Sequence, residues 1–255
     1  MIPWLAGAPA FPPLDSALVE PNGLLAAGGA LTPEWLLAAY HRGIFPWFSH
    51  GEPILWWSPD PRLVLAPAHI RIRRSLLKVL RQRRFEVRID TAFAAVMAEC
   101  AAPREPEGGT WITPDIQAAY CRMHELGYAH SVECWRDGKL VGGLYGMAVG
   151  RAFFGESMFS RETDASKVAL AHLARVLEQR DFAVIDCQMT TPHLLSMGAR
   201  EIRRSEFAAG LERWSREGEP PGQWSSGPLQ GIDWNHNAAG GAAGAHLCNR
   251  TTPTP

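Results

Sequence analysis

Between residues 130 and 159 the sequence repeats one kind of segment three times. HSVECWR, KLVGGLYGMAVG and RAFFGESMF are short runs weighted toward Val, Leu, Tyr, Phe and Met, and Asp137-Gly138 separates the first two. Asp-Gly is a pair that a two-residue hairpin turn favours, because both central positions need positive φ. The span therefore predicts an antiparallel meander of three strands. Helical patterns flank it. Thr113-Pro114 opens DIQAAYCRMHELG before the meander, with Thr as cap and Pro at the first helical position, and DASKVALAHLARVLEQR follows it. A short strand, AVIDCQ, comes next, then a Thr191-Pro192 turn leading into HLLSMGAREI, then the helix SEFAAGLERWSR. Helices and strands mixed in this order predict an α+β fold built on a mixed sheet.

Residues 1–66 read differently. They are rich in Pro, Gly and Trp, and their one clear helix starts at Thr32-Pro33 and runs through EWLLAAYHRG to Gly43. This predicts a small N-terminal α/β lobe whose thin core is filled by the aromatics of FPWFS and ILWWSPDPR. Residues 67–217 are expected to form the larger, mixed-sheet domain. From residue 218 the chain turns to Gly, Ala, Pro and Ser, including NAAGGAAGAH. Such a stretch cannot bury enough apolar surface to stay ordered, so 218–255 is expected to be a disordered tail.

Helix, three-stranded meander, helix, strand and helix is the order found in acyltransferases of the GNAT type, which this segment resembles. Those enzymes cradle the pyrophosphate of coenzyme A in an R/Q-x-x-G-x-G/A loop at the start of the helix after the meander. The corresponding stretch here, SRETDASKVAL, has no glycine, so its backbone amides cannot close on a phosphate in that manner. The likeness therefore implies an acyl donor other than coenzyme A.

The chain carries 25 basic and 26 acidic residues, a net charge of −1, so the total suggests neither a nucleic-acid nor a membrane partner. The distribution does. In HIRIRRSLLKVLRQRRF, Arg71, Arg73, Arg74, Lys78, Arg81, Arg83 and Arg84 stand without an acidic residue among them. Leu76, Leu77 and Leu80, with Ile72 and Val79, are spaced to bury one helical face and leave the basic side chains on the other. A charge run is often only a solvated face, but like charges without a compensating carboxylate repel, and RNA or DNA phosphate would relieve them. Cys100, Cys121, Cys134, Cys187 and Cys248 are irregularly spaced with no C-x-x-C pair, which reads as free thiols in a reducing compartment rather than a metal site. The amino terminus lacks a basic start and is broken by Pro3, Pro9, Pro12 and Pro13. With no apolar run near the roughly 18 residues of a membrane span, the expectation is a cytoplasmic protein without a membrane partner.

Two short stretches carry the polar chemistry. In IDCQ, Asp186 and Gln188 are two apart on a strand, so both emerge on one face while Ile185 and Cys187 emerge on the other. In FFGESMFSR, Glu156 and Ser157 lie among large apolar side chains, with Met158 on the same face as Glu156. If these two strands are neighbours, Glu156, Asp186 and Gln188 converge. The bland alternative is a buried Asp that ties down a loop.

A longer set of blocks carries a family resemblance: EPNGLLAAGGALTPEWLLAAYHRGIFPWF, EPILWWSPDPR, GTWIT, AYCRMHELGYAHSVE, LVGGLYG, FFGESMFSR, ASKVAL, IDCQ and HLLSMGAREI. In this order, over roughly residues 11 to 210, they resemble the bacterial leucyl/phenylalanyl-tRNA–protein transferases. The resemblance implies transfer of Leu or Phe, with Met a further candidate, from charged tRNA to proteins beginning with Arg or Lys. That transfer marks them for N-degron degradation and needs no cofactor. It implies that Asp186 and Gln188 are catalytic: Gln188 places the amine, while Asp186 holds the Gln188 amide and supplies a negative field. It also implies that Glu156, Ser157, Tyr40, Trp47, Trp111, Tyr120 and Phe153 meet the substrates, with Trp111 stacking on the terminal adenine. Leu144, Met158, Leu173, Leu177 and Ile185 would line the aminoacyl side-chain pocket, and the basic run would meet acceptor-stem phosphates. Two other readings remain open at this stage: a small-molecule or peptide N-acyltransferase of the same fold, and a non-catalytic RNA-binding module.

Overall fold

The structure is a computed structural model and describes residues 2–102, 110–224, 227–229 and 231–234. A small sheet is made of β1 (Trp4–Leu5), β2 (Leu24–Gly28), β3 (Phe45–Pro46) and β4 (Leu55–Trp57), in the order β1-β2-β4-β3. Helix α1 (Pro33–Tyr40) connects β2 to β3 and begins with its proline at the first turn, where a missing N–H costs nothing. Trp35 and Trp56 bury their rings around Phe11, whose centroid lies 5.6 Å and 4.9 Å from theirs. Burying one such ring removes roughly 200 Å² from water, worth about 5 kcal/mol, so a few aromatics suffice for so thin a layer.

The second sheet takes β5 (Arg62–Leu65), β6 (Glu86–Ile89), β7 (Ala129–Arg136), β8 (Lys139–Val149), β9 (Ala152–Ser160), β10 (Val184–Gln188), β11 (Arg200–Ile202) and β12 (Gly227–Pro228). Their order is β11-β5-β10-β9-β8-β7-β6-β12. The meander is β7-β8-β9, and its first turn has positive φ at both Asp137 and Gly138, as the sequence pair requires. Every pairing is antiparallel except β9 with β10. The remaining helices are α2 (Arg74–Arg81), α3 (Phe93–Ala101), α4 (Pro114–Glu125), α5 (Ala165–Gln179), α6 (Pro192–Ser196) and α7 (Arg204–Trp214). On one face of the sheet, α3, α4 and α1 share a core that includes Tyr40, Tyr120, Tyr145 and Phe154. On the other face, α5 and α2 share a core that includes Leu144, Phe153, Leu173 and Ile185. A Cβ on Gly142 would stand 2.4 Å from the Cβ of Ala165, so glycine in β8 is what lets α5 lie this close to the sheet.

Three features depart from the sequence pattern. Strand β5 falls within 1–66, yet it pairs with β10 and β11 in the large sheet. The basic run is not one helix: α2 holds Arg74, Lys78 and Arg81, while Arg71 and Arg73 precede it and Arg83 and Arg84 follow. The Arg71 N–H bonds to the Met197 carbonyl instead of entering the helix. Lastly, ordered structure continues past residue 218. β12 covers β6, the Trp224 ring stacks 3.8 Å from that of His130, and Trp234 is buried. The expected tail is therefore corrected for residues 218–224, 227–229 and 231–234: two tryptophans with Leu229 and Ile232 outweigh the Gly-rich average. Residues 235–255, with NAAGGAAGAH and Cys248, lie outside the described residues.

Candidate active site

Strands β9 and β10 run side by side only through Asp186, which faces Phe154; past that point β9 continues to Ser160 and β10 ends at Gln188. Each strand is irregular where they part. On the β8 side, Gly155 pairs with Gly146 but Ser157 pairs with Tyr145, so Glu156 is the extra residue of a bulge. On the β5 side the register shifts between Asp186 and Gln188, and Gln188 has φ of 62°. Bulges re-aim side chains, and these two aim toward each other. The Gln188 Nε2 donates to Glu156 Oε1 at 3.0 Å.

Glu156 has two further donors. The Tyr40 hydroxyl, from the last turn of α1, reaches Oε1 at 2.7 Å, and the Tyr120 hydroxyl, from α4, reaches Oε2 at 3.2 Å. The two hydroxyls also hydrogen-bond to each other. One carboxylate thus joins α1, α4, β9 and β10, which answers why an acid sits among the apolar residues of FFGESMFSR. Burial raises its pKa most; the Tyr40 hydrogen bond lowers it, the Asp186 charge raises it, and Tyr120 and Arg62 lower it. The result is pushed up to about 7. Burial, and then the Glu156 charge, hold the Tyr40 and Tyr120 hydroxyls well above their ordinary range. Tyr145 of β8, packed 5.7 Å edge-on to Tyr120, is shifted the same way for the same reasons, and its buried hydroxyl has no hydrogen-bond partner among the described residues.

Asp186 is held from behind. Arg62 of β5 donates from Nε to Oδ1 at 2.8 Å and from Nη2 to Oδ2 at 2.6 Å, and neither side chain has exposed surface. The guanidinium lies between Phe45 and Phe207, 5.0 Å and 4.9 Å from their centroids. Asp186 Oδ1 also accepts the backbone N–H of Gln188 at 2.9 Å. The expected relay is corrected in one respect: Asp186 grips the main chain of Gln188, fixing its left-handed turn, and Glu156 holds the side-chain amide. When Glu156 is ionised its oxygens only accept hydrogen bonds, so in that state it is the NH₂ end of the carboxamide that meets it.

The other candidate residues separate into groups. Trp47 is 38% exposed and packs against Trp57 at 5.4 Å, while Trp111 is half-buried against the α3–α4 core. Ser157 is half-buried opposite Tyr145. Phe153 does not join Glu156: it is buried on the opposite face, 5.8 Å from Trp224. On that face Leu144, Leu173, Leu177 and Ile185 meet in one cluster, with half-buried Met158 beside Leu144. Met158 also lines a pocket of about 370 Å³ with Glu99, Phe159 and Arg161. All seven basic side chains from Arg71 to Arg84 are exposed; Arg84 touches Glu162 at 3.4 Å, and Arg81 donates to the Trp234 carbonyl at 3.3 Å. Among the described residues no group of three His, Cys, Asp or Glu could hold a metal.

Arg62 and Tyr145 are the members of the cluster that sequence patterns passed over. Arg62 had a signal: a lone cation opening the apolar run RLVL, in a chain whose IDCQ needs a counter-charge. Tyr145 had none, since an aromatic in LVGGLYG is ordinary strand composition.

The profile described as "Leucyl/phenylalanyl-tRNA protein transferase" matches residues 64–212, and that of its N-terminal domain matches 29–60. The chain belongs to the leucyl/phenylalanyl-tRNA protein transferase family. Tyr120, Glu156, Asp186 and Gln188 fall in the larger family match and Tyr40 in the smaller, so the cluster stands where the two family domains meet. A leucyl/phenylalanyl-tRNA–protein transferase of Azoarcus sp. (strain BH72) is 80% identical over 92% of this chain and 100% of its own length. One from Aromatoleum aromaticum is 71% identical over 88% and 95%. Among solved structures, a GCN5-related N-acetyltransferase from Kribbella flavida is similar with a TM-score of 0.33 and 10% identity, over 66% of this chain and 60% of that one.

Proposed function

We propose that this protein transfers a leucyl or phenylalanyl group, with methionyl a further candidate, from charged tRNA to the α-amine of proteins beginning with Arg or Lys. The product enters N-degron degradation in the cytoplasm. The observation that carries this reading is the polar cluster of Glu156, Gln188, Asp186 and Arg62 where β9 and β10 part, in a chain of this family.

The chemistry suits such a site. An aminoacyl ester is already activated, and attack by an amine gives the more stable amide without ATP. A free α-amine has a pKa near 7.7 to 8.0, so an appreciable fraction is nucleophilic at neutral pH. The protein needs chiefly to bring two substrates together and offset the charge that develops. With its NH₂ engaged by Glu156, the Gln188 carboxamide keeps its carbonyl oxygen as acceptor for an amine N–H. Asp186 and Arg62 fix the backbone from which that carboxamide projects.

The donor would be recognised in separate parts. The exposed basic residues meet acceptor-stem phosphate, giving affinity that falls with salt and carries little sequence information. Trp111 stacks on the terminal adenine, and the Leu144, Met158, Leu173, Leu177 and Ile185 cluster selects the side chain. One methylene gives only about 1–3 kcal/mol of discrimination, so β-branched residues must be rejected by shape. Incubation with radiolabelled leucyl-tRNA and an Arg-starting peptide should label the peptide, while acetyl-coenzyme A should not acetylate it. Acetylation without leucyl transfer would instead make the protein a coenzyme A-dependent N-acyltransferase. Binding of tRNA without either product would make it a recognition module.

A further inference from the structure

Two carboxylates stand at the place where β9 and β10 part, and their surroundings are opposite. Both oxygens of Asp186 are engaged: Oδ2 by Arg62, Oδ1 by Arg62 and the Gln188 N–H. The group has no exposed surface, and its charge is matched by a cation. Glu156 is partly exposed at its bulge, and its three partners are neutral: two tyrosine hydroxyls and a carboxamide. Neutral donors orient a carboxylate without cancelling its charge. Gln188 further links Glu156 to the position assigned to the attacking amine, since the two ends of its carboxamide would serve one each.

We propose that Glu156 is the base of the transfer step, with Tyr40 and Tyr120 as the residues that position it. This rests on the aminoacyl-transfer reading. The amine nitrogen attacks the ester carbonyl carbon, a C–N bond forms, and the carbonyl π electrons move to oxygen. The nitrogen loses a proton to Glu156. The carbonyl re-forms, the C–O bond to the tRNA ribose breaks, and the departing oxygen takes that proton back from Glu156. Atoms and charge balance without a co-reactant, and Asp186 stays a counter-ion throughout.

The charged and titratable groups facing Glu156 are Tyr40 of α1, Tyr120 of α4, Tyr145 of β8, Asp186 of β10 and Arg62 of β5. Together with burial they leave its carboxyl at about 7, where a base is substantially ionised and still able to hold a proton.

The test is single-turnover transfer from leucyl-tRNA to an Arg-starting peptide, by wild type and Glu156→Gln, across pH values on both sides of 7. The ionisation of the acceptor amine cancels in the ratio of the two rates. The ratio should rise with pH up to about 7 and then level at roughly 10²–10⁴. A purely structural Glu156 would give a ratio that does not change with pH, and that result overturns the proposal. Tyr40→Phe keeps the base but removes a hydrogen bond that lowers its pKa, so the break in its own profile should move to higher pH; an unmoved break also overturns the proposal. If wild type transfers no leucine at all, the parent reading fails instead, so the two failures are distinguishable.

Discussion

Replacing Arg62 by Met would remove both hydrogen bonds to Asp186, at 2.8 and 2.6 Å, and leave a carboxylate with no exposed surface and no counter-charge. Breaking one side of a buried pair costs about 3–5 kcal/mol, because the remaining ion keeps its desolvation penalty and loses its partner. That is a large share of the roughly 5–15 kcal/mol that holds a domain folded. If the penalty comes from the stranded charge, removing the second charge should return part of it. The variant carrying both Arg62→Met and Asp186→Leu should therefore be more stable than Arg62→Met alone, with an interaction energy of about 2–3 kcal/mol in the double-mutant cycle. Urea unfolding of the four proteins, followed by tryptophan fluorescence, measures it. Transfer activity should stay low in the double variant, since the Gln188 backbone, at φ of 62°, has lost its acceptor. Additive single effects would refute the reasoning, and so would a double variant that regains transfer along with stability.

Other outcomes follow from the same geometry. Glu156 has a folded pKa of about 7 against 4.5 ordinarily, so between these pH values the folded protein holds a proton that the unfolded chain has released. Its contribution to stability should fall as pH rises across that window, by up to about 3 kcal/mol, and stay flat above it; Glu156→Gln should abolish that slope in urea titrations taken at successive pH values. Replacing Arg74, Lys78 and Arg81 of α2 by Ala should flatten the dependence of log affinity for tRNA on log salt by about 2–3 units, at roughly one per phosphate contact; filter binding over a salt series checks this, and an unchanged slope would move the phosphate contacts elsewhere. Trp111→Ala should weaken leucyl-tRNA binding by about 1–3 kcal/mol, with less effect on tRNA lacking its terminal adenosine.

What could be read from the sequence was mainly what neighbouring residues decide. The Asp137-Gly138 turn and the Thr-Pro helix starts at Thr32 and Thr113 depend on a few adjacent dihedrals, and each stands where the pattern put it; Thr191-Pro192, which reads as a turn, instead caps the short helix α6. The approach of Glu156 to Gln188 was also legible, because a strand order with one crossover helix places β10 beside β9. The aim of those side chains was not. Strand alternation presumes an unbroken period of two, and both residues sit at breaks in register. Arg62 and Asp186 are 124 positions apart, so no local pattern joins them. In the C-terminal stretch, averaging over Gly, Ala and Pro concealed Trp224, which stacks on His130, and Trp234, which is buried against His172.

Gln188 offers the most direct test of the central claim, because it is partly exposed and its loss strands no buried charge, whereas Asp186→Ala would leave Arg62 unpaired. Single-turnover leucyl transfer by Gln188→Ala should be measured beside its affinity for leucyl-tRNA. The rate should fall by roughly 10²–10³, the usual effect of removing one preorganised polar group, with affinity essentially that of the wild type. Equal losses in rate and affinity, or an unchanged rate, would contradict that claim.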